Sequence, residues 1–152
     1  MKRVVVSIIV AIVGATAAAH GRPSLVPPGW EPAAVEPGDT GRRFVSPDGA
    51  SWMTAKQSVA RRDRLSADMD ALAYRDGERI TYQRRGETWL AVSGYRGDDI
   101  FYRKSNLACG GTRWNTIEFQ YPASDKRKMD DAVTRIAHGM TTYGDQCGSE
   151  PR

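Results

Sequence analysis

The feature that most constrains the fold is a series of short segments between Glu78 and Tyr121 in which apolar and polar residues alternate. A period of two places successive side chains on opposite faces and is typical of β-strands. Turn residues separate the segments at Gly86, at 96–98 and at Gly110. Because short turns join antiparallel neighbours, the pattern predicts an antiparallel meander. Its predicted strands are 78–85, 88–95, 99–105 and 113–121.

A hairpin and two helices complete the predicted domain. The Pro47-Asp48-Gly49 run supplies the backbone angles of a tight turn, and apolar residues later recur at helical spacing in two places. The hairpin strands are predicted at 43–45 and 50–55, and the helices within 58–76 and from Ser124 through the stripe at 129–140. We therefore expect an α+β domain, an antiparallel sheet of about five to six strands flanked by two helices.

The N-terminus has the three parts of a secretory signal peptide. Met1-Lys2-Arg3 is positively charged, residues 4–13 are almost wholly apolar, and Ala17 and Ala19 form an A-x-A cleavage site. The apolar run is shorter than the ~20 residues that span a bilayer. We predict that residues 1–19 are a signal peptide, that the protein is periplasmic or secreted, and that the mature chain does not span the membrane.

The charge pattern argues against a nucleic-acid partner. The full chain has a formal net charge of +4, and removal of Lys2 and Arg3 with the signal leaves 4 − 2 = +2. Acidic and basic residues are interleaved, as in the segment 61–68, whereas a nucleic-acid surface needs a dense stripe of one sign. No nucleic-acid partner is predicted.

Residues 20–41 contain five of the eight prolines and read as a proline-rich leader. Proline lacks the backbone N–H that a sheet requires, so the segment is predicted to be extended, with polyproline II character, and not to pair as a strand. Its one aromatic side chain, Trp30, either fastens the leader to the domain or contacts a partner. A single domain with a C-terminal tail is then expected over 42–152.

Cys109 and Cys147 are the only cysteines. An exported protein folds in an oxidising compartment, which favours pairing of two cysteines. We predict a disulfide bond between them that ties the C-terminal tail to the sheet.

Several of these segments resemble a known fold family. The stretch 44–49 (FVSPDG), Thr81-Tyr82, the run 89–94 (WLAVSG) and the run 100–102 (IFY) are similar to a group of exported proteobacterial proteins with a Mog1/PsbP-like domain. The resemblance covers Arg42 to Met140 and implies a layered α+β sandwich. Because related folds serve as accessory or binding modules, it also favours a non-enzymatic role.

No motif of the chain carries a catalytic signature. The nearest approach to a nucleophile elbow, 91–94 (AVSG), lacks the first glycine, and a Ser-His-Asp triad has only His138 available. Cleavage after Ala19 exposes the amine and imidazole of His20, and His20-Gly21 resembles the start of mature copper monooxygenases. His20 and His138 are therefore candidate metal ligands for an alternative copper protein or hydrolase. No cofactor is predicted for the leading interpretation.

Aromatic residues on the predicted strands form the remaining candidate site. Alternation directs some of them away from a helix-covered face, so we predict a binding surface on an open face of the sheet. Its candidate residues are Trp89, Trp114, Tyr102 and Trp30. The leading interpretation is an exported non-enzymatic binding or accessory module with a protein or small-molecule partner. A structural cell-envelope protein is the third possibility.

Overall fold

The computed structural model describes residues 25–38, 41–139 and 147. These residues form one seven-stranded sheet and two α-helices. The strands are β1 (Glu31–Ala33), β2 (Arg42–Val45), β3 (Trp52–Val59), β4 (Glu78–Arg85), β5 (Trp89–Arg96), β6 (Asp99–Ala108) and β7 (Arg113–Pro122). The helices are α1 (Leu65–Ala73) and α2 (Lys126–Gly139), each preceded by a short 3-10 turn.

The sheet order is β1-β2-β3-β7-β6-β5-β4, and every neighbouring pair is antiparallel. The predicted meander accounts for β4 to β7, and the predicted hairpin for β2 and β3. Gly49 adopts a φ of 70° in the hairpin turn, a conformation that glycine reaches without steric cost. The α+β class and the antiparallel sheet are thus confirmed.

The two helices pack on opposite faces of the sheet. Adjacent residues of β6 show the division, because Phe101 belongs to the apolar cluster under α1 and Ile100 to the cluster under α2. Met129, Ala132 and Ile136 of α2 are buried, as the predicted apolar stripe requires. The result is a three-layer sandwich with the sheet in the middle. Among the described residues, neither helix is long and apolar enough to cross a bilayer.

The sheet has seven strands, so the expectation of five to six was wrong. The additional strand is β1, which lies inside the predicted leader and pairs with β2, placing Pro32 opposite Phe44. The sequence prediction excludes pairing in this segment because proline cannot donate a backbone hydrogen bond. β1 is an edge strand, however, and an edge position tolerates proline because only one side of the strand needs to pair.

Part of the predicted leader also packs against the core. Leu25, Val26 and Trp30 contact the apolar cluster under α2, and the ring of Trp30 meets that of Phe119 edge-on at 5.8 Å. Trp30 therefore fastens this segment to the domain, which was one of its two predicted roles. The folded unit begins before residue 42.

The two cysteines lie together, as predicted. Cys109, at the corner between β6 and β7, and Cys147 are placed as a disulfide pair with their Cα atoms 5.2 Å apart. The pair connects positions 38 residues apart in the chain.

Candidate binding cleft

The predicted aromatic surface does not form as one patch. Trp114 is 1% exposed, belongs to the core under α1, and donates its indole N–H to Asp68 Oδ2 at 3.3 Å. Trp89 is 36% exposed, but the pairing register places it on the opposite face from Trp114. The prediction that Trp114 is a surface residue was wrong, because a helix covers each face and the α1 face takes this side chain into its core.

The other two aromatic candidates are also largely occupied by packing. Tyr102 is buried, and this burial, with a smaller contribution from Tyr82, raises the pKa of its hydroxyl to about 12. Trp30 is half-buried against Phe119. Of the four residues, Trp89 is the one that reaches the solvent most fully.

One of the two predicted histidine ligands lies within the described residues. His138 is exposed in the last turn of α2, and His20 lies outside the described residues. Within the part of the chain that the structure describes, no group of three or more histidine, cysteine or carboxylate side chains is arranged to hold a metal ion. The copper and hydrolase alternatives stay predictions from the sequence.

A buried ionic network on the α1 face was not predicted. Glu118 of β7 and Glu78 of β4 each have side chains only 1% exposed, and Arg103 of β6, between them, is fully buried. Arg103 Nη2 lies 2.5 Å from Glu78 Oε1, and its Nε lies 3.0 Å from Glu118 Oε2. One guanidinium thus joins two carboxylates that are distant in sequence.

Two further arginines complete the network from its solvent side. Arg75, in the turn after α1, approaches Glu118 Oε2 to 2.6 Å. Arg96, at the end of β5, lies 3.0 Å from Glu118 Oε1 and also pairs with Glu78. Three arginines surround two glutamates, which leaves one positive charge in excess (3 − 2 = +1).

The arginines keep Glu118 ionised in spite of its burial. Burial alone acts to raise the pKa of Glu118, but the hydrogen bond and charge of Arg103, with the charge of Arg75, outweigh it and hold that pKa below its ordinary value. For Arg75, burial is the largest effect and lowers the pKa; Glu118 opposes it, whereas the neighbouring Arg103 adds to it. The arginines therefore repel one another, although each is also paired with a carboxylate.

A cleft of about 440 Å³ opens directly above this network. Its floor includes Glu118 and residues of β3, and its sides come from the turn after α1, the end of β5 and the segment between β1 and β2. The cleft is lined by Glu36, Arg43, Trp52, Thr54, Lys56, Arg75, Asp76, Arg96 and Glu118. This volume lies within the range of small-molecule sites, roughly 300–1,000 Å³.

Trp52 forms an aromatic wall of the cleft. Its half-buried indole lies beneath the guanidinium of Arg43, which is 4.8 Å from the ring centre, and Arg96 is 6.0 Å away. Arg43 is also held by Glu36, with Nη1 3.0 Å from Oε1. Cation–π contacts of this kind fix both the ring and the arginines.

One sequence signal could have located this site. Arg103 directly follows the apolar run 100–102 of β6, and Glu118 lies between Ile117 and Phe119 of β7. Charged residues in the middle of central strands are rarely buried unless they are paired. Their presence predicts an internal ion pair, although the sequence cannot identify its partners.

The seven-stranded sheet with a helix on each face is an α+β sandwich similar to the PsbP fold. Among solved structures, the chain is similar to the solution structure of cyanobacterial PsbP (CyanoP) from Synechocystis sp. PCC 6803. The two chains share 12% sequence identity with a TM-score of 0.54, over 74% of this chain and 81% of that one. The expected PsbP-like fold is confirmed. No protein-family model and no curated protein match the sequence.

Proposed function

We propose that this protein is an exported, non-enzymatic binding module whose ligand site is the cleft above the arginine network. The observation that carries this proposal is the cleft itself. It combines a small-molecule volume, an aromatic wall at Trp52 and two arginines, Arg75 and Arg96, whose positions are fixed by buried carboxylates. Well-placed polar groups orient a ligand in a concave site, and seven of the nine side chains that line this cleft are charged.

The chemistry of the cleft favours binding over catalysis. Glu118 is the buried carboxylate of the cleft, and both its oxygens accept contacts from arginines. A general base works best when its pKa lies near the operating pH, whereas the arginines lower the pKa of Glu118 below its ordinary value. Glu118 therefore stays ionised and paired at neutral pH and serves to position the arginines.

Three observations support an exported location. The N-terminus reads as a cleavable signal, the two cysteines pair, and the fold is similar to that of cyanobacterial PsbP. We expect native mass spectrometry of the protein recovered from the cell envelope or medium to give a mass that begins at His20 and includes the disulfide. A mass beginning at Met1 with two free thiols would contradict export.

A fragment screen followed by NMR tests the cleft as the ligand site. Amide spectra of the mature chain are recorded with a library of small polar fragments, and we expect the shifts that saturate to cluster on β3 and the turn after α1. Thr54→Tyr places a ring on the floor of the cleft and should abolish these shifts. Thr134→Tyr, at an exposed position of α2, is the matched control and should leave them unchanged.

Two results would contradict the proposal. Saturable shifts confined to the region around Trp89 would place the ligand site on the other face of the sheet. A screen without any saturable shift in the cleft would remove the cleft as a ligand site. A well-dispersed spectrum of Thr54→Tyr shows that this variant is folded.

A further inference from the structure

Arg75 and Arg96 present part of their guanidinium groups to the cleft. Their side chains are 34% and 29% exposed, while the carboxylates that hold them are 1% exposed. A guanidinium has five N–H donors. Among the described residues, Arg75 has one ion pair, which it makes through Nη1 to Glu118, so most of its donors remain for a molecule in the cleft.

These guanidinium groups are also held in place before any ligand arrives. Glu118 contacts both of them, and Arg96 is held additionally by Glu78 and by Gln120. Fixing a binding group in advance reduces the entropy lost when a ligand binds. The planar fork of arginine matches the two oxygens of a carboxylate or phosphate.

The local charge balance favours an added negative group. The network of Arg75, Arg96 and Arg103 with Glu78 and Glu118 has a net charge of +1, and burial lowers the pKa of Arg75. A negatively charged group beside Arg75 and Arg96 offsets this excess in a partly desolvated place, where charges interact more strongly than in water.

Trp52 indicates which kind of chemical group the ligand carries beside its negative group. Its indole lines the same cleft and is fixed by Arg43, so the site has an apolar planar wall beside its donors. A ring or short apolar segment packs well against such a wall. A bare inorganic anion has no apolar part to pack against this wall.

We propose that the cleft binds a small molecule through an oxyanion group, a carboxylate or a phosphate, held by Arg75 and Arg96, with the apolar part of the ligand against Trp52. This inference rests on the proposed function of the cleft as a ligand site and adds the chemical class of the ligand.

The test compares benzoate with benzamide, which have similar shapes and differ in charge. Titrations are followed by calorimetry and by NMR of the arginine side chains at fixed ionic strength. We expect benzoate to bind in the cleft and benzamide to bind at least about tenfold more weakly, because a hydrogen bond to a charged acceptor is markedly stronger than one to a neutral acceptor. Benzyl phosphate is titrated in parallel, and the tighter of the two anions identifies the carboxylate or the phosphate as the preferred group.

Arginine variants test whether the preference for an anion arises from Arg75 in the cleft. Arg75→Gln should weaken benzoate binding by roughly tenfold, because it removes donors that face the cleft. Glu118 keeps Arg103 and Arg96 as partners in this variant, so the fold is expected to remain. Arg84→Gln, on an exposed part of β4 whose register places it on the opposite face, removes the same charge and should leave the affinity unchanged.

A Trp52→Leu variant separates the two halves of the site. We expect it to weaken benzoate binding while the weak binding of inorganic phosphate is unaffected. Equal weakening of both would remove the proposed contact between the ligand and the indole.

The outcomes distinguish this inference from the function on which it rests. If benzoate and benzamide shift cleft residues equally, the cleft binds ligands but the oxyanion class is wrong. If Arg75→Gln and Arg84→Gln weaken benzoate equally, the attraction is a general effect of positive charge and the inference is overturned. If no anion and no member of the fragment screen shifts the cleft, the proposed function fails as well.

Discussion

At the scale of single residues, two neighbours in β6 donate hydrogen bonds to the C-terminal ends of α1 and α2. Arg103 donates Nη1 to the carbonyl oxygens of Leu72 and Ala73, at the C-terminal end of α1. Lys104 points to the other face and donates to the carbonyl of Ala137, near the end of α2. Terminal carbonyls lack partners within their own helix, and positive charge is favourable there. Two successive residues of β6 thus stabilise helices on opposite faces of the sheet.

Replacement of Arg103 by methionine should be strongly destabilising. The change leaves Glu78 and Glu118 buried beside a neutral side chain, and loss of one partner from a buried ion pair costs about 3–5 kcal/mol. Chemical denaturation monitored by circular dichroism measures this loss. Arg75→Gln is the control and should cost less than about 1 kcal/mol, since Arg75 is partly exposed and screened. A loss below 1 kcal/mol for Arg103→Met would show that the network contributes little to folding.

Stability should fall in acid because two buried carboxyl groups have lowered pKa values. Burial opposes the effect in both cases, but Arg103 lowers the pKa of Glu118 from 4.5, and hydrogen bonds from Arg61 and Trp114 lower that of Asp68 from 3.8. A lowered pKa contributes stability above the unfolded-state value, and this contribution is lost as pH falls through the folded-state value. We expect a constant denaturation midpoint from pH 7 to pH 5 and a decline below about pH 4.5. A midpoint that rises below pH 4.5 would contradict this assignment.

At the scale of elements, the segment before β2 is part of the sandwich. β1 extends the sheet beyond β2, and Trp30 covers the edge of the core under α2 at Phe119. The proline content of this segment correctly excludes a central strand, but it does not exclude an edge strand. The decisive contacts connect residues far apart in sequence, so local composition could not reveal them.

Replacement of Trp30 by alanine tests whether this segment stabilises the fold. Trp30 is half-buried, so we expect a loss of about 1–3 kcal/mol, less than for a fully buried tryptophan. Urea denaturation of the mature chain measures the change. Trp89→Ala, at a more exposed position, is the control and should cost less. If Trp30→Ala were neutral, the indole would be free for the alternative role of contacting a partner.

At the scale of the whole molecule, the described residues form a sheet with a helix on each face and place two cysteines as a disulfide pair. The pair Cys109 and Cys147 connects the corner between β6 and β7 to a position beyond α2. A cross-link stabilises mainly by restricting the unfolded chain, and the effect grows slowly with loop length.

Removal of this link should lower stability without changing the fold. For a separation of 38 residues, the chain-entropy model gives up to about 4 kcal/mol for Cys109→Ser with Cys147→Ser. Thermal melting with and without reductant measures the effect in the natural protein, and the double variant should be insensitive to reductant. Equal melting temperatures in all samples would show that the two thiols are not linked in solution.

The sequence alone determined six of the seven described strands and both described helices, because alternation, turn residues and helical spacing are local properties. Ile80 and Tyr82 alternate with polar neighbours, and the Pro47-Asp48-Gly49 turn identifies its own hairpin. Only the tertiary structure decided which charges meet. Arg103 is 15 residues from Glu118 and 25 from Glu78, and these groups converge because the strand register and the sheet order bring them to one face. The candidate cleft depends on that convergence, since a charge is bound or buried according to its neighbours in space.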